Sequence, residues 1–311
     1  MATDLLLINA ADAGLVAGGY PYPPLGLAYV AASVRQAGFQ VAVEDLSFAE
    51  TGHVIESVEA TMRRVDPTVV GIYGLTSNRL YISAIAKTAK DEKPGVFVVG
   101  GGPHMGFTAG DYLKEGLFDG ICRREGEQAM VELMSAVKSS GSSGELEGSL
   151  GGLLGWSFRV GGKPVHNRCH PFNEDLDCLP FPAWDLFDIP RYYIGMCKKT
   201  FTSFPVSTSR GCAFACMFCS GSAFTGRKVR YRSPENVLSE VRWLYGRFNP
   251  ELIQFVDDTF TSDRGRVIEI AKGMGRIDPT AIWTSNITIS TVDRELLKIM
   301  RDNGCKKWNS G

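Results

Sequence analysis

With 311 residues, 44% of them hydrophobic, the chain is long enough to bury two ordinary cores. Its 33 basic and 34 acidic residues leave a formal net charge of −1, which excludes a broad electrostatic field for nucleic acid or membrane surfaces and leaves small substrates or a protein partner. The opening MATDLLLINAADAG has a short apolar run without a basic flank, and no run of about twenty apolar residues occurs, so neither a cleaved signal nor a membrane span is expected.

Strand-like and helix-like patterns alternate along the first part of the chain. Strands are expected over 5–10, 39–46, 68–73, 96–99 and 119–122, and helices over 25–37, 54–65, 80–90 and 128–138. Such alternation predicts an α/β fold with a parallel, doubly wound sheet. Ligands of these sheets bind beyond the carboxyl ends of the strands, where 11–26, 74–78 and 100–106 fall. The first of these segments lacks the GxGxxG spacing of a dinucleotide site, and the third, GGGPHMG, permits close backbone approach to a bulky ligand or simply a tight turn.

Residues 139–152, SSGSSGELEGSLGG, read as a flexible boundary, and 153–165 as a hairpin turning at Gly161 and Gly162. Four prolines then divide an extended passage in which Trp184, Leu186 and Phe187 suggest packing between modules. Cys169 beside His170 has no spaced partners and reads as an ordinary thiol.

The sequence VSTSRGCAFACMFCSGS then sets Cys212, Cys216 and Cys219 in a CxxxCxxC array after a β-prone run. Three soft thiolates suit iron–sulfur or zinc ligation rather than magnesium or calcium. A closed zinc site takes four protein ligands, whereas a four-iron cluster on three thiolates leaves one iron open, and no fourth cysteine occurs before Cys305. Three unrelated buried thiols are the remaining reading. The other cysteines, Cys122, Cys169, Cys178, Cys197 and Cys305, share no spacing, which favours a reducing compartment, the cytoplasm, over a disulfide scaffold.

After the array, Ser233, Pro234 and Glu235 open a helix whose packed face is Val237, Val241, Leu244 and Phe248. Arg227, Lys228, Arg230 and Arg232 read as a solvated rim or an anion-binding cluster. LIQFVDDTFT is a strand entering a polar loop in which Asp257 and Asp258 could serve as an acid–base pair, as metal ligands or as a helix cap. Further helices over 264–274 and 292–300 and a strand over 281–284 precede GCKKWNSG, the beginning of another strand.

The cysteine array, with Phe218 before its last cysteine, resembles the cluster loop of the radical S-adenosylmethionine superfamily. PPLGLAYVAASVRQAGFQV, GLTSN and VVGGGPH resemble the cobalamin-binding domain that precedes many such modules, and LPFPAWDLFD resembles the stretch between them. The resemblance implies a cobalamin-binding-like domain over 1–140, a linker and interdomain segment over 141–203, and the first half of a partial radical (β/α) barrel over 204–311. It implies a 4Fe–4S cluster on Cys212, Cys216 and Cys219, with S-adenosylmethionine on the open iron and Phe218 near its adenine. Asp257, Asp258, Thr259 and Asn286 would position that cofactor, and Ser77, Gly101 and Gly102 would embrace cobalamin.

One motif departs from the pattern. The DxHxxG sequence that supplies a lower histidine ligand to cobalt is absent from NAADAGLVAGGY, so cobalamin would bind without protein histidine, or the domain has lost it; His104 does not stand in that ligand's position. The implied activity is generation of a 5′-deoxyadenosyl radical for cobalamin-assisted methyl transfer, or for cyclisation or rearrangement of a small molecule such as a tetrapyrrole, with flavodoxin or ferredoxin as reductant. The missing barrel units predict a truncated or abbreviated chain, and hence an alternative: a noncatalytic cluster- or cobalamin-binding module acting as partner or sensor.

Overall fold

A computed structural model of the protein describes residues 3–11, 22–50, 52–140, 143–196 and 199–310. The chain divides into two compact units, Met1–Phe172 with Pro180–Phe187, and Asn173–Leu179 with Asp188–Gly311.

In the first unit, strands β1 (Leu5–Asn9), β2 (Val41–Asp45), β3 (Val69–Tyr73), β4 (Phe97–Gly101) and β5 (Gly120–Cys122) are all parallel. Helices α1 (Leu25–Gln36), α2 (Val54–Val65) and α3 (Arg79–Glu92) connect the first four, the short α4 (Pro103–Phe107) and α5 (Ala109–Lys114) lie between β4 and β5, and α6 (Glu127–Ser139) follows β5. The spatial order β2-β1-β3-β4-β5 is that of a doubly wound sheet. Leu6, Ile8, Val70, Ile72 and Val98 pack with Val58, Met62, Ile82 and Ile85 of α2 and α3. Their neighbours Leu5, Leu7, Val69 and Val99 are equally buried, so these strands are apolar at nearly every position rather than at alternate ones.

The passage read as a linker has defined structure. Helix α7 (Ser143–Leu150) lies where a flexible boundary is expected, and β6 (Trp156–Val160) and β7 (Lys163–His166) extend the first sheet antiparallel to seven strands. Tertiary contacts override the weak local propensity: Leu150 is buried, and Asn167 Nδ2 donates to the carbonyls of Leu150 and Leu153 at 2.7 Å each. Trp184 and Phe187 are core residues of the first unit, where Ala183 N donates to Ala28 O at 3.1 Å and Arg35 pairs with Asp185 at 2.6 Å.

The second unit has a five-stranded sheet. Its strands β9 (Lys199–Val206), β12 (Leu252–Phe255), β13 (Trp283–Ile287) and β14 (Cys305–Ser310) are parallel, with β8 (Tyr193–Met196) antiparallel on β9. Crossover helices α9 (Pro234–Phe248), α10 (Arg264–Ile277) and α11 (Arg294–Asp302) join the parallel strands. Ser233 Oγ caps α9 by accepting from Asn236 N at 3.2 Å, Asp263 caps α10 and Asp293 caps α11 in the same way. Phe255, at the carboxyl end of β12, stacks on Phe260, and Trp283, the first residue of β13, meets both rings edge-on.

Gly102, at the end of β4, has φ +95, and a Cβ there would lie 2.7 Å from Gly74 O and 2.9 Å from the Tyr73 ring. The absence of a side chain is thus required by the protein itself, not only by a ligand. Gly102→Val is expected to destabilise the first unit by more than about 1 kcal/mol, from left-handed strain and the clash together. Urea unfolding followed by circular dichroism checks this. Burial also pushes the Cys122 thiol from 9.0 to about 12. The unfolded chain loses that proton first, so this contribution to stability is complete below about pH 9 and falls as pH rises toward 12. Cys122→Ala should flatten the alkaline limb of the stability curve.

Candidate functional site

The cysteine loop is bracketed by a short antiparallel ribbon, β10 (Ser209–Arg210) on β11 (Arg230–Tyr231), and contains the single-turn helix α8 (Gly221–Thr225). Gly211 has φ +96, and a Cβ there would meet Lys228 O at 2.3 Å, so the loop closes against 226–228 only with glycine at this position. Cys212 N then donates to Gly226 O at 3.0 Å. Further along, Cys219 N donates to Cys216 O at 3.1 Å, and Gly221 N to Cys219 Sγ at 3.3 Å. Cys212 is half-buried while Cys216 and Cys219 are exposed, as are Met217 and Phe218, the latter at 92%.

The carboxyl ends of the parallel strands converge on this loop. Asp257, two residues beyond β12, is buried and accepts from Thr208 N at 2.6 Å, Thr208 Oγ1, Ser209 N at 3.1 Å and Ser209 Oγ at 2.9 Å. Burial raises its carboxyl above the ordinary range, opposed by these donors and by Arg266. Asp258 is exposed and accepts from Thr225 Oγ1 at 3.2 Å, on the flank of the loop that carries Cys219. Thr259 Oγ1 lies 3.9 Å from Cys212 Sγ and 3.4 Å from Thr288 Oγ1. Asn286 Nδ2 donates to Asp257 O at 3.1 Å. The structure therefore gathers Cys212, Asp257, Asp258, Thr259 and Asn286 at one end of the sheet.

The four basic residues after the array are not one cluster. Arg230 and Arg232 are buried, contrary to a solvated rim or a substrate-facing patch. Arg230 donates to Asn173 O at 2.8 Å and Thr225 O at 3.0 Å. Arg232 pairs with the buried Glu240 and donates to Ser207 O at 2.8 Å. Lys228 pairs at the surface with Glu174 at 2.5 Å. Helix α9 carries Glu240 under the ribbon, which the linear pattern of alternating charge does not reveal.

No group of three or more His, Cys, Asp or Glu side chains among the described residues converges on a single ion. A cluster requires something else: each thiolate binds a separate iron, and bridging sulfides span the rest. Three soft donors on one loop, two of them open and one accepting a backbone N–H, fit that chemistry and not a closed mononuclear site.

In the first unit, Ser77 is half-buried in the turn before α3, held by Asn78, whose Oδ1 accepts from Leu75 N at 2.7 Å and whose Nδ2 donates to Ala10 O at 3.2 Å. Gly101 ends β4 with room for a Cβ, in ordinary contact with Cys122 at 3.7 Å. His104 sits on α4 with its Nδ1 3.2 Å from Thr76 Oγ1 and its ring edge-on to Tyr112; burial lowers its pKa. Exposed Leu75, Leu80 and Phe107 follow β3 and β4 and give these strand ends an apolar surface suited to a bulky macrocycle. Most of the first segment expected at the strand ends, 12–21, lies outside the described residues.

Sequence reasoning missed Asn78, Thr208, Ser209, Arg266 and Thr288. Ser and Thr beside a cysteine motif carry no distinctive spacing, and Arg266 reads as one more helical cation. For the thiols, alkylation of the cluster-free protein at neutral pH is expected to label Cys216 and Cys219 well before Cys122 and Cys305, whose thiols burial pushes up to about 12. Peptide mass mapping over time reads that order.

Comparison with known proteins agrees with this arrangement. The B12 binding domain matches residues 12–134, and the radical SAM superfamily matches 206–311. An uncharacterised methyltransferase of Pyrococcus horikoshii is 34% identical over 91% of the chain and 59% of its own length. The anaerobic magnesium-protoporphyrin IX monomethyl ester cyclase of Rubrivivax gelatinosus is 29% identical over 91% of the chain and 50% of its own. Thus the chain spans about half to three-fifths of these relatives. Among solved structures, the radical S-adenosylmethionine methyltransferase TsrM from Kitasatospora setae shares the fold at TM-score 0.77 and 17% identity, over 100% of this chain and 59% of that one. No described helix is long and apolar enough to cross a membrane. The cofactors of these domains are a 4Fe–4S cluster, S-adenosylmethionine and cobalamin, and the chain belongs to the radical SAM family with an amino-terminal B12-binding domain.

Proposed function

We propose that the protein is a radical S-adenosylmethionine enzyme that performs cobalamin-assisted methyl transfer to a small molecule. The observation that carries this reading is the cysteine loop set at the carboxyl ends of β9, β12 and β13, in a chain that also bears a B12-binding domain. Methyltransferases recur among its relatives, including the cytidylyl-2-hydroxyethylphosphonate methyltransferase of Streptomyces wedmorensis. Cyclisation of a tetrapyrrole is the second reading, favoured by the cyclase of Rubrivivax gelatinosus. A noncatalytic module is not favoured, because the relatives that match nine-tenths of the chain are named for enzymes.

In this reading Cys212, Cys216 and Cys219 hold the cluster, and the bound cofactors supply the radical and methyl-carrier chemistry. Phe218 offers an exposed aromatic face for the adenine of S-adenosylmethionine. Asp258, Thr259 and Asn286 supply polar contacts at the strand ends. Asp257 acts differently: its oxygens are committed to Thr208 and Ser209, so it positions the loop rather than touching substrate. Ser77 and Gly101 line the cobalamin face, with Gly102 shaping the backbone there. His104, engaged with Thr76, is not the cobalt ligand.

The first unit through residue 140 is the cobalamin-binding module, extended by the strands of 156–166, and 204–311 is the radical module. A cytoplasmic setting with flavodoxin or ferredoxin as reductant suits an oxygen-sensitive cluster.

Anaerobic reconstitution is expected to load a 4Fe–4S cluster, and alanine at Cys212, Cys216 or Cys219 to remove most of the iron. S-adenosylmethionine should then shift the low-temperature spin-resonance spectrum of the reduced wild-type chain. Full iron occupancy in all three variants would reject the ligand assignment. Cobalamin titration tests the other half: binding should occur, and the reduced cobalt spectrum should be the same for wild type and His104→Ala.

A further inference from the structure

We propose that Asp257, Arg266 and Arg232 form a buried ionic clamp on the backbone of Ser207–Ser209, and that this clamp fixes Cys212 so that the loop retains its cluster. The inference rests on the reading of the three cysteines as cluster ligands and assigns the residues that position them.

Thr208 is gripped on both of its peptide sides. Its N–H and hydroxyl donate to the Asp257 carboxylate, which also takes both donors of Ser209. Its carbonyl accepts from Arg266 Nη2 at 2.5 Å and from Arg232 N at 3.0 Å. The preceding carbonyl, of Ser207, accepts from Arg232 Nη1 at 2.8 Å, and Glu240 pairs with that same guanidinium. Arg266 is tied in turn to Arg232 O at 3.0 Å, and its guanidinium lies 5.3 Å from the centroid of the Tyr231 ring. Asp257, Arg232, Glu240 and Arg266 are all buried.

Buried charges are a poor way to add stability, because their desolvation offsets most of the attraction. What such a network supplies is geometry. Between Val206, the last residue of β9, and the ribbon at Ser209, the backbone leaves the sheet ladder. Its N–H and C=O groups would otherwise be satisfied by water at no fixed angle. The clamp refers them instead to Arg232 just before α9, to α10 and to the end of β12.

Only Arg210 and Gly211 separate the gripped segment from Cys212. Arg210 is held by the ribbon, and Gly211 is packed against Lys228 O. Thr259, two residues after Asp257, reaches the Cys212 thiol itself. Among the described residues, the bonds of Cys216 and Cys219 lie within the loop. Cys212 is therefore the ligand held by the core, and the other two close over the cluster from the surface.

The test uses the full chain, reconstituted anaerobically, with three measurements: iron transfer to bathophenanthroline, hydrogen exchange of the peptide spanning 206–213, and thermal unfolding. Arg266→Met and Asp257→Asn are expected to release iron about tenfold faster or more, the effect of losing a charged hydrogen bond. Exchange should rise at 207–212 in cluster-free protein while the rest of the chain keeps its pattern, and Arg266→Lys should restore part of the retention. If Asp257→Asn does not fold, Thr208→Val, which removes a single hydroxyl, takes its place. A folded Arg266→Met chain with wild-type exchange at 207–212 and wild-type iron release overturns the clamp and leaves the cysteine assignment standing. Full iron in all three cysteine-to-alanine variants, or no iron in wild type, overturns that assignment and the retention role with it.

Discussion

The second unit depends on one buried carboxylate. Asp257 accepts four hydrogen bonds from two consecutive residues, and no uncharged side chain offers four acceptor sites in so small a volume. Its placement follows from the strand it terminates: β12 is central in the sheet, between β9 and β13, so a residue just past its end reaches the exits of both neighbours. Asp257 therefore binds the exit of β9 through its side chain and that of β13 through its carbonyl, to Asn286. The cost of burying this charge is partly met by Arg266.

The same problem is solved in the first unit chiefly by amides, with a single carboxylate, Asp45, among the acceptors. There Asn78 spans from Leu75 N to Ala10 O, and Asn9 donates to Asp45 Oδ1 and Ser47 Oγ at 2.9 and 2.7 Å. These amides fix the loops at the ends of β1, β2 and β3. A loop that accepts a large macrocycle needs shape and apolar surface, which amides and glycines provide. A loop that carries anionic thiolates gains from a rigid stem, and charged groups make the stronger directional bonds.

The exposure of the thiols is itself informative. Cys122 and Cys305 are buried at the ends of strands, and their raised pKa values mark them as packing residues. Cys216 and Cys219 are exposed, on a loop that three structural features keep from collapsing: the β10–β11 ribbon, the Gly211 contact and the bond from Cys219 N to Cys216 O. The same residue type thus takes two roles according to its desolvation.

Much of this was legible in the sequence. The alternation of apolar runs and amphipathic segments located the parallel strands and main helices of both units, though not the antiparallel β8, because burial on both faces of a parallel sheet leaves a strong local signature. The Ser233–Pro234–Glu235 helix start and the cysteine spacing are local as well. Helix α7 and strands β6 and β7 were not seen as part of the first unit, since the β5 edge on which the hairpin pairs is distant in the chain. The charge network was hidden for the same reason: Arg232 looks like a surface cation until α9 brings Glu240 against it, and Arg266 until α10 sets it against Thr208. Sequence determined which chemical groups are present and which segments carry them; only tertiary structure decided which charges lose their water, because desolvation depends on neighbours that local patterns do not contain.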